Sequence, residues 1–442
     1  MSQNRTPNRL NEASRPHCRR HDTRKVSPHT TEQLCQSFRM DLQRTPRHTP
    51  MTTHTDIKAT GIATETSSLT LSKNILLVGN WRSDAGYAWK MIERFWIAIA
   101  EAFPARRTIL CFPKVTDVNP EIYAAGIEIK EFNFDFRRPI ALARFCRKHE
   151  IGLLYLTDRP YSSGIYPLLR ASGVRKIVVH DHTPGQRSMP RPLKRTVKAA
   201  KVRTLGADAY IACSTHVFER LINVCCIPPD RCHLAENGID LSKFAHPAST
   251  IRNELSLSPS TLLVVSCSRV HHYKRITDIV DAAALLGDLD IHFIHIGDGP
   301  DFDVLQSRIR HHGLEQRFTL LGQRDDVPEI LSGCDIAVHA SNGEVGLCLS
   351  ILEFMAARLP VIVTDEPSVS RVIEPGVTGL TFPHGNEQAL AAQVRVLAND
   401  GSERRRLGQA ARAKTEAHYR IENTISSVVS VVRQTCPKLG QK

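Results

Sequence analysis

A chain of 442 residues with 41% hydrophobic content is long enough for two packed domains and a tail, which excludes a wholly unfolded polymer. Its formal net charge of +13 calls for an anionic partner, and an aromatic content of 6% without a zinc-finger or RNA-recognition signature argues against nucleic acid. Twelve scattered cysteines with no CxxC pair exclude a disulfide framework or zinc ribbon and suit a reducing cytoplasm. No apolar run approaches the ~20 residues that cross a bilayer, and no hydrophobic signal core stands at the N-terminus, so no secretion is expected.

Residues 1–72 read as a disordered basic extension. They are rich in Arg, His, Thr, Ser and Pro and have no hydrophobic period, and residues 1–50 carry ten Lys/Arg against four Asp/Glu, a net of +6. The segment reads either as an arm for an anionic surface or as a solvated tail upstream of a true start near Met51. Asn74-Ile-Leu-Leu-Val-Gly is the first strand, followed by a loop over Asn80–Gly86 and a helix to about Phe103. Strands predicted at 108–112, 127–132, 152–157, 176–180 and 209–213 alternate with helices, which gives a parallel sheet covered on both faces. His180 and His182 stand at the carboxyl end of one of these strands, where ligands of such sheets bind. Seven basic residues and no acid then run from Arg187 to Arg203, with Lys194, Lys198 and Lys201 on one predicted helical face, a pattern that suits either anionic lipid or water.

Glu236-Asn-Gly-Ile-Asp240 carries a turn signal and is followed by a predicted linker over 241–259. A second α/β half opens with the buried strand 262–268. Directly after it, Arg269 and Lys274 stand five apart before a helix, able to converge on one diphosphate as a forked donor and a point charge. Asp301 and Asp303 read as helix-start acids, not metal ligands. The stretch Val338–Asp365 reads as strand, loop with capping residue types at Ser341–Gly343, apolar helix and buried strand. Glu344 falls at the mouth of that helix, and Glu353 is the one charged residue within it. Two acids beside a helix N-terminus, which is itself an anion site, fit a ligand with both phosphate and hydroxyls, such as a sugar nucleotide.

This stretch resembles the signature of retaining family-four glycosyltransferases of the GT-B type, and the resemblance extends from about Asn74 to Val432. Glu353 keeps the family's seven-residue spacing to Pro360. Glu344 and Glu353 enclose eight residues where the family has seven, and Cys348 stands where the family often has glycine. Two registers stay open: an extra loop residue, or another counterpart for the first acid. Arg371 stands where many relatives have Glu. The resemblance implies two doubly wound Rossmann-like domains facing a cleft. These are an acceptor-side domain over 73–240, a nucleotide-sugar domain over 260–418, and a C-terminal helix, 419–442, packing back on the first.

It further implies transfer of a sugar from a UDP- or GDP-linked donor to a glycan or lipid-linked acceptor, with retention, with no cofactor and without a metal. Arg269 and Lys274 would hold the diphosphate. Gly343, Glu344, Gly346, Leu347 and Glu353 would complete the donor site, with Glu353 on the ribose. Asp84, Gly86, His180 and His182 would face the acceptor, and His180 would join Arg269, Lys274 and Glu344 as catalytic. The implied enzyme is cytoplasmic, with 187–203 against the inner face of an anionic membrane. The alternatives are a sugar-nucleotide epimerase or a phosphorylase of similar fold, or a degenerate cleft protein recruited to membrane or nucleic acid.

Overall fold

The computed structural model describes residues 73–83, 90–183, 189–245, 247–344 and 347–436, all within one unit that spans Leu69–Lys442. The 1–72 extension and Asp84, Gly86 and Gly346 lie outside the described residues. Thirteen strands form two parallel sheets. The first holds β1 (Asn74–Val78), β2 (Thr108–Phe112), β3 (Glu128–Glu131), β4 (Ile151–Thr157), β5 (Lys176–Asp181), β6 (Ala209–Ala212) and β7 (Cys232–Leu234), in the order β3-β2-β1-β4-β5-β6-β7. The second holds β8 (Leu262–Cys267), β9 (Ile291–Ile296), β10 (Phe318–Gly322), β11 (Ile336–His339), β12 (Val361–Thr364) and β13 (Leu380–Phe382), in the order β10-β9-β8-β11-β12-β13.

The central strands are buried on both faces, which is why they read as continuous apolar runs and not as alternating ones. Alternate residues of β1 serve opposite cores: Leu76 and Val78 join one layer, Ile75 and Leu77 the other. In each sheet the strand order reverses once, between β1 and β4 and between β8 and β11. At such a switch point the flanking crossovers leave on opposite faces and open a crevice at the carboxyl ends of the strands. The loops after β8 and β11 carry Arg269, Lys274 and Glu344, so topology alone gathers the residues that sequence spacing singled out.

Two local expectations are corrected. The segment 241–259 is a packed part of the second half, not a free linker. It holds a 3-10 turn, Leu241–Phe244, and a short helix, Ile251–Glu254, and Leu241, Phe244 and Ile251 enter the second core. The apolar helix of the 338–365 stretch spans Leu349–Ala356 and starts well after Glu344. Its N-cap is Cys348, with no side-chain cap bond, so the polar residues at 341–343 shape a loop and do not cap the helix. Serine and asparagine favour both settings, and sequence alone does not separate them.

The chain returns to the first half at its end. The Ile421–Thr435 helix places Ile421, Val428, Val431 and Val432 in the same apolar layer as Ile75, Leu77, Phe95 and Trp96. Where it leaves the second half it pairs with the Asn-Gly-Ile-Asp segment: Ile239 N donates to Tyr419 O (2.9 Å) and Ile421 N to Ile239 O (3.0 Å). Gly238 permits this approach, since a Cβ there would lie 2.6 Å from the carbonyl carbon and oxygen of Arg420. No helix among the described residues is long and apolar enough to cross a membrane.

Gly238→Val is expected to destabilise the protein by about 1–3 kcal/mol, the usual cost of overpacking. Urea denaturation should show an earlier transition and hydrogen exchange a faster-exchanging 421–435 helix. An unchanged midpoint with unchanged exchange would contradict the close approach.

Candidate active site

The site begins where β8 ends. Cys267 leads into an exposed Arg269 and then a 3-10 turn, His272–Lys274, closed by Arg275 at φ 52°. A left-handed non-glycine residue is uncommon. Here it ends the turn and starts the Ile276–Ala284 helix, while the Arg275 guanidinium donates to Asp278 (2.8 Å). The Gly297-Asp298-Gly299 turn lies beneath. Cβ atoms at Gly297 and Gly299 would meet the carbonyl oxygens of Ser268 and Val270 at 2.0 and 2.1 Å, so only glycine lets the two loops stack. Between them His295, fully buried, bridges Ser266 (2.8 Å) and Ser268 O (3.0 Å). Burial pushes its imidazole down to about 4, so it stays neutral.

This arrangement turns Lys274 inward, where its ammonium donates to Glu344 Oε1 at 2.5 Å. His339, the last residue of β11, places Nε2 2.7 Å from the same oxygen. The side chains of Lys274, Glu344 and His339 are 11%, 8% and 3% exposed, so the cluster is nearly dry. Second contacts fix it. The Glu344 N–H donates to Ser368 Oγ (3.0 Å), Asn342 N to Tyr273 O (2.8 Å), and Thr364 Oγ1 to Ser341 O (2.8 Å). Cys348 Sγ lies 3.6 Å from His339 Nε2. Burial by itself would raise the Glu344 carboxyl, but Lys274 and His339 outweigh it and hold the group down at about 2. For His339, burial opposes charge, yet Cys348 and Glu344 raise the imidazole to about 9.

Of the remaining donor-side expectations, Glu353 sits 6% exposed on the helix behind this cluster. It lines a cavity at the domain junction with Lys90, Arg94, Asp240 and Lys243. The half-buried thiol of Cys267 lies within electrostatic reach of Glu353, Cys348 and Lys274. Leu347 and Cys348 line a second junction cavity of about 280 Å³, with Ser368 and Arg371 on one wall and Ser214, His216 and Glu236 on the other. Gly343 has φ 131° and forms the loop bend before Glu344. Arg371 pairs with Glu219 of the first half at 3.1 Å, which gives that departure from the family pattern a physical role as a bridge between the halves. Both partners are about half exposed, so the pair contributes little stability.

The two histidines stand at the carboxyl end of β5, His180 within the strand and His182 just after it. His180 is fully buried, with Nδ1 2.6 Å from the Tyr155 hydroxyl and its ring 4.1 Å from that of His182 and 5.4 Å from that of Phe95. Burial lowers both imidazoles, His180 well below its usual range and His182 to about 4, and among the described residues the buried Nε2 atom of each has no hydrogen-bond partner. They are brought together with each other and with Asp158, which accepts from His182 N at 2.6 Å. Burial lifts the Asp158 carboxyl to about 7. Sequence reading missed Asp158, Tyr155 and His339. Only His339 carried a signal, as a lone imidazole ending an apolar strand at the switch point.

Asp301 N-caps the Phe302–His311 helix without a side-chain cap bond, and Asp303 lies in its first turn. The basic stretch becomes the Pro192–Leu205 helix, with Val202 as its only buried side chain. Lys198 leaves the expected basic face: its ammonium donates to Val224 O (2.9 Å) over the Tyr161 ring. Leu193 and Val197 are 78% and 48% exposed beside exposed Lys194 and Lys201.

The signs of the two shifts define a stability window. The contribution of His339 is complete below its ordinary 6.5 and is lost as pH rises through about 9. That of Glu344 is complete above its ordinary 4.5 and is lost as pH falls toward about 2. Thermal melts should therefore fall from pH 6.5 to 9 in the wild type and fall less steeply in His339→Gln. Parallel profiles for the two proteins would refute a charged His339.

Comparison with known proteins agrees with this arrangement. Residues 92–243 match the family model Glycosyltransferase Family 4 and residues 248–414 match Glycosyl transferases group 1. The chain is 28% identical over 189 residues to an N-acetyl-alpha-D-glucosaminyl L-malate synthase of Bacillus anthracis, covering 42% of this chain and 49% of that one. It is 28% identical over 176 residues to an alpha-D-kanosaminyltransferase of Streptomyces kanamyceticus, covering 39% and 45%. The chain thus spans about half the length of the curated relatives it matches. A glycosyltransferase of Rickettsia africae superposes with TM-score 0.68 at 15% identity, covering 82% of this chain and 98% of that one. Anabaena HepE in complex with UDP and glucose gives 0.65 at 20%, covering 82% and 100%. At these identities the superpositions speak to the fold, two Rossmann-like halves of the GT-B type. With a Family 4 domain followed by a group 1 domain, the chain belongs to the glycosyltransferases.

Proposed function

We propose that the protein transfers a sugar from a nucleotide-sugar donor to a glycan or lipid-linked acceptor, with retention and without a metal. The observation that carries this reading is the buried Lys274–Glu344 pair at the β8/β11 switch point, with the exposed guanidinium of Arg269 on the same loop. In the reaction the bond from the anomeric carbon to the diphosphate breaks, one to the acceptor oxygen forms, and the acceptor hydroxyl's proton passes to an oxygen of the departing diphosphate. The electron pair stays on the diphosphate, and Lys274 and Arg269 stabilise the charge that grows there, as preorganised cations in a dry site do. Glu344, once the donor enters, turns from structural partner to orienter of the sugar hydroxyls. Glu353 binds the ribose. The kanosaminyltransferase relative and the two glycosyltransferase family models support sugar transfer over the epimerase and binding-protein alternatives.

A thermal-shift series with UDP, GDP and ADP tests the donor site. A nucleotide at 100 times its dissociation constant should add about 2.7 kcal/mol, with or without EDTA. Arg269→Ala, a change at an exposed position, should weaken that nucleotide by about 1.5–3 kcal/mol, the range for a hydrogen bond to a charged group. No shift with any nucleotide, or a shift that needs a metal, would defeat the reading.

A finer placement follows from the Pro192–Leu205 helix. We infer that it lies on the anionic inner face of a membrane, with Leu193 and Val197 in the headgroup layer and Lys194 and Lys201 on phosphates. Leu193, at 78% exposure, and Val197, at 48%, supply the apolar side of that contact. The ten described cysteines are all free, which supports a reducing compartment on that side. In vesicle sedimentation with phosphatidylserine, Lys194→Ala and Lys201→Ala should each weaken binding by about 1 kcal/mol, roughly fivefold. Failure of the wild type to sediment at low salt would end this placement.

A further inference from the structure

We propose that His339, Glu344 and Cys348 form a site for one borderline-soft divalent cation of the Zn²⁺ or Cd²⁺ class, and that occupancy draws Glu344 away from Lys274. The three donor atoms, an imidazole nitrogen, a carboxylate oxygen and a thiol sulfur, all lie within 4.8 Å of one another. That mixed set selects this metal class over Mg²⁺ or Ca²⁺, which take oxygen alone. Bond lengths of about 2.3 Å to sulfur and about 2.0 Å to nitrogen at a tetrahedral angle place S and N about 3.5 Å apart. Cys348 Sγ and His339 Nε2 are already separated by 3.6 Å.

The donors sit on fixed positions. His339 ends β11, Cys348 caps the following helix, and Glu344 is tied through its N–H to Ser368. The rearrangement needed is an opening of the His339 Nε2 to Glu344 Oε1 separation from 2.7 Å to about 3.3 Å, the tetrahedral spacing for bonds of about 2.0 Å. Cys348 lines the junction cavity, which gives an ion a way in. Three protein donors leave a fourth tetrahedral position for water or a phosphate oxygen. A second group with metal-ligating atoms, His271, His272 and Asp301, lacks this enclosure, because the His272 side chain is 80% exposed.

Coordination takes place without change of oxidation state. The ion binds the Cys348 sulfur as thiolate and the His339 nitrogen as neutral imidazole, so any proton held at either atom leaves as the ion enters. Glu344 then serves the ion, and the Lys274 ammonium loses its only short carboxylate contact among the described residues. Since Glu344 and Lys274 stand in the proposed donor site, occupancy would inhibit an enzyme that needs no metal. The site is metal-sensitive and not metal-dependent.

The test uses the full chain, reduced and free of nucleotide, so it stands apart from the donor reading. Titration with Cd²⁺ is followed by the thiolate-to-metal absorption in the ultraviolet and by calorimetry, and Zn²⁺ is measured by calorimetry alone. We expect one equivalent, with the absorption band lost in Cys348→Ser and affinity reduced about tenfold or more in His339→Gln, as loss of a ligand entails. Lys274→Met removes the competitor for Glu344 and should tighten binding severalfold. Circular dichroism and melting of each variant exclude misfolded samples, and Cys348→Ser is the least disruptive of the set. Absence of a tight equivalent, a band that survives Cys348→Ser, or weaker binding in Lys274→Met would each overturn the proposal.

Discussion

One buried carboxylate oxygen, Glu344 Oε1, receives both a lysine ammonium and a histidine nitrogen. Isolated, each of these groups would be costly to bury; together they neutralise one another and hold two loops from adjacent strands in register. Breaking such a cluster by removing one member costs more than the cluster contributes, because a bare charge is left behind. That asymmetry keeps the loops after β8 and β11 together even in the absence of ligand. The Gly-Asp-Gly turn, the neutral His295 and the Ser368 hydroxyl all serve to aim these same three side chains.

Around that point the architecture is that of parallel sheets. Their apolar interiors set the positions of the strands, and the strand order sets where the crevice opens. The two halves differ in what they place there. The second offers a charged cluster with cations exposed beside it. The first offers a neutral, buried pair of histidines against Phe95 and Tyr155, with an acid, Asp158, that burial brings toward neutrality.

Much of this was legible in the chain. Continuous apolar runs gave the strands, because strands covered on both faces have no polar side to show. Arg269, Lys274 and Glu353 were legible because charge at the end of an apolar run is conspicuous. Between Glu344 and Glu353 the helix begins only at Leu349, so the second acid lies on the helix while Leu347 and Cys348 precede it. His339 and Asp158 escaped notice because their roles depend on partners distant in sequence. The lysines of the 192–205 helix look equivalent on a helical wheel, yet Lys198 finds a carbonyl and an aromatic ring that no local pattern reveals. The packed 241–259 segment was missed for a related reason, since its few apolar residues find their core only in three dimensions.

The last helix has a consequence for how the protein is born. Its valines complete an apolar layer whose other members come from the first strands and the 90–102 helix. A ribosome adding about 5–20 residues per second finishes the whole second half before that helix emerges. For those seconds the layer shared by Ile75, Leu77, Phe95 and Trp96 lacks the share that Ile421, Val428, Val431 and Val432 supply, while the second half can close over residues it already has. The order of completion is therefore the reverse of the order of synthesis, and the nascent first half is the part with most need of a chaperone.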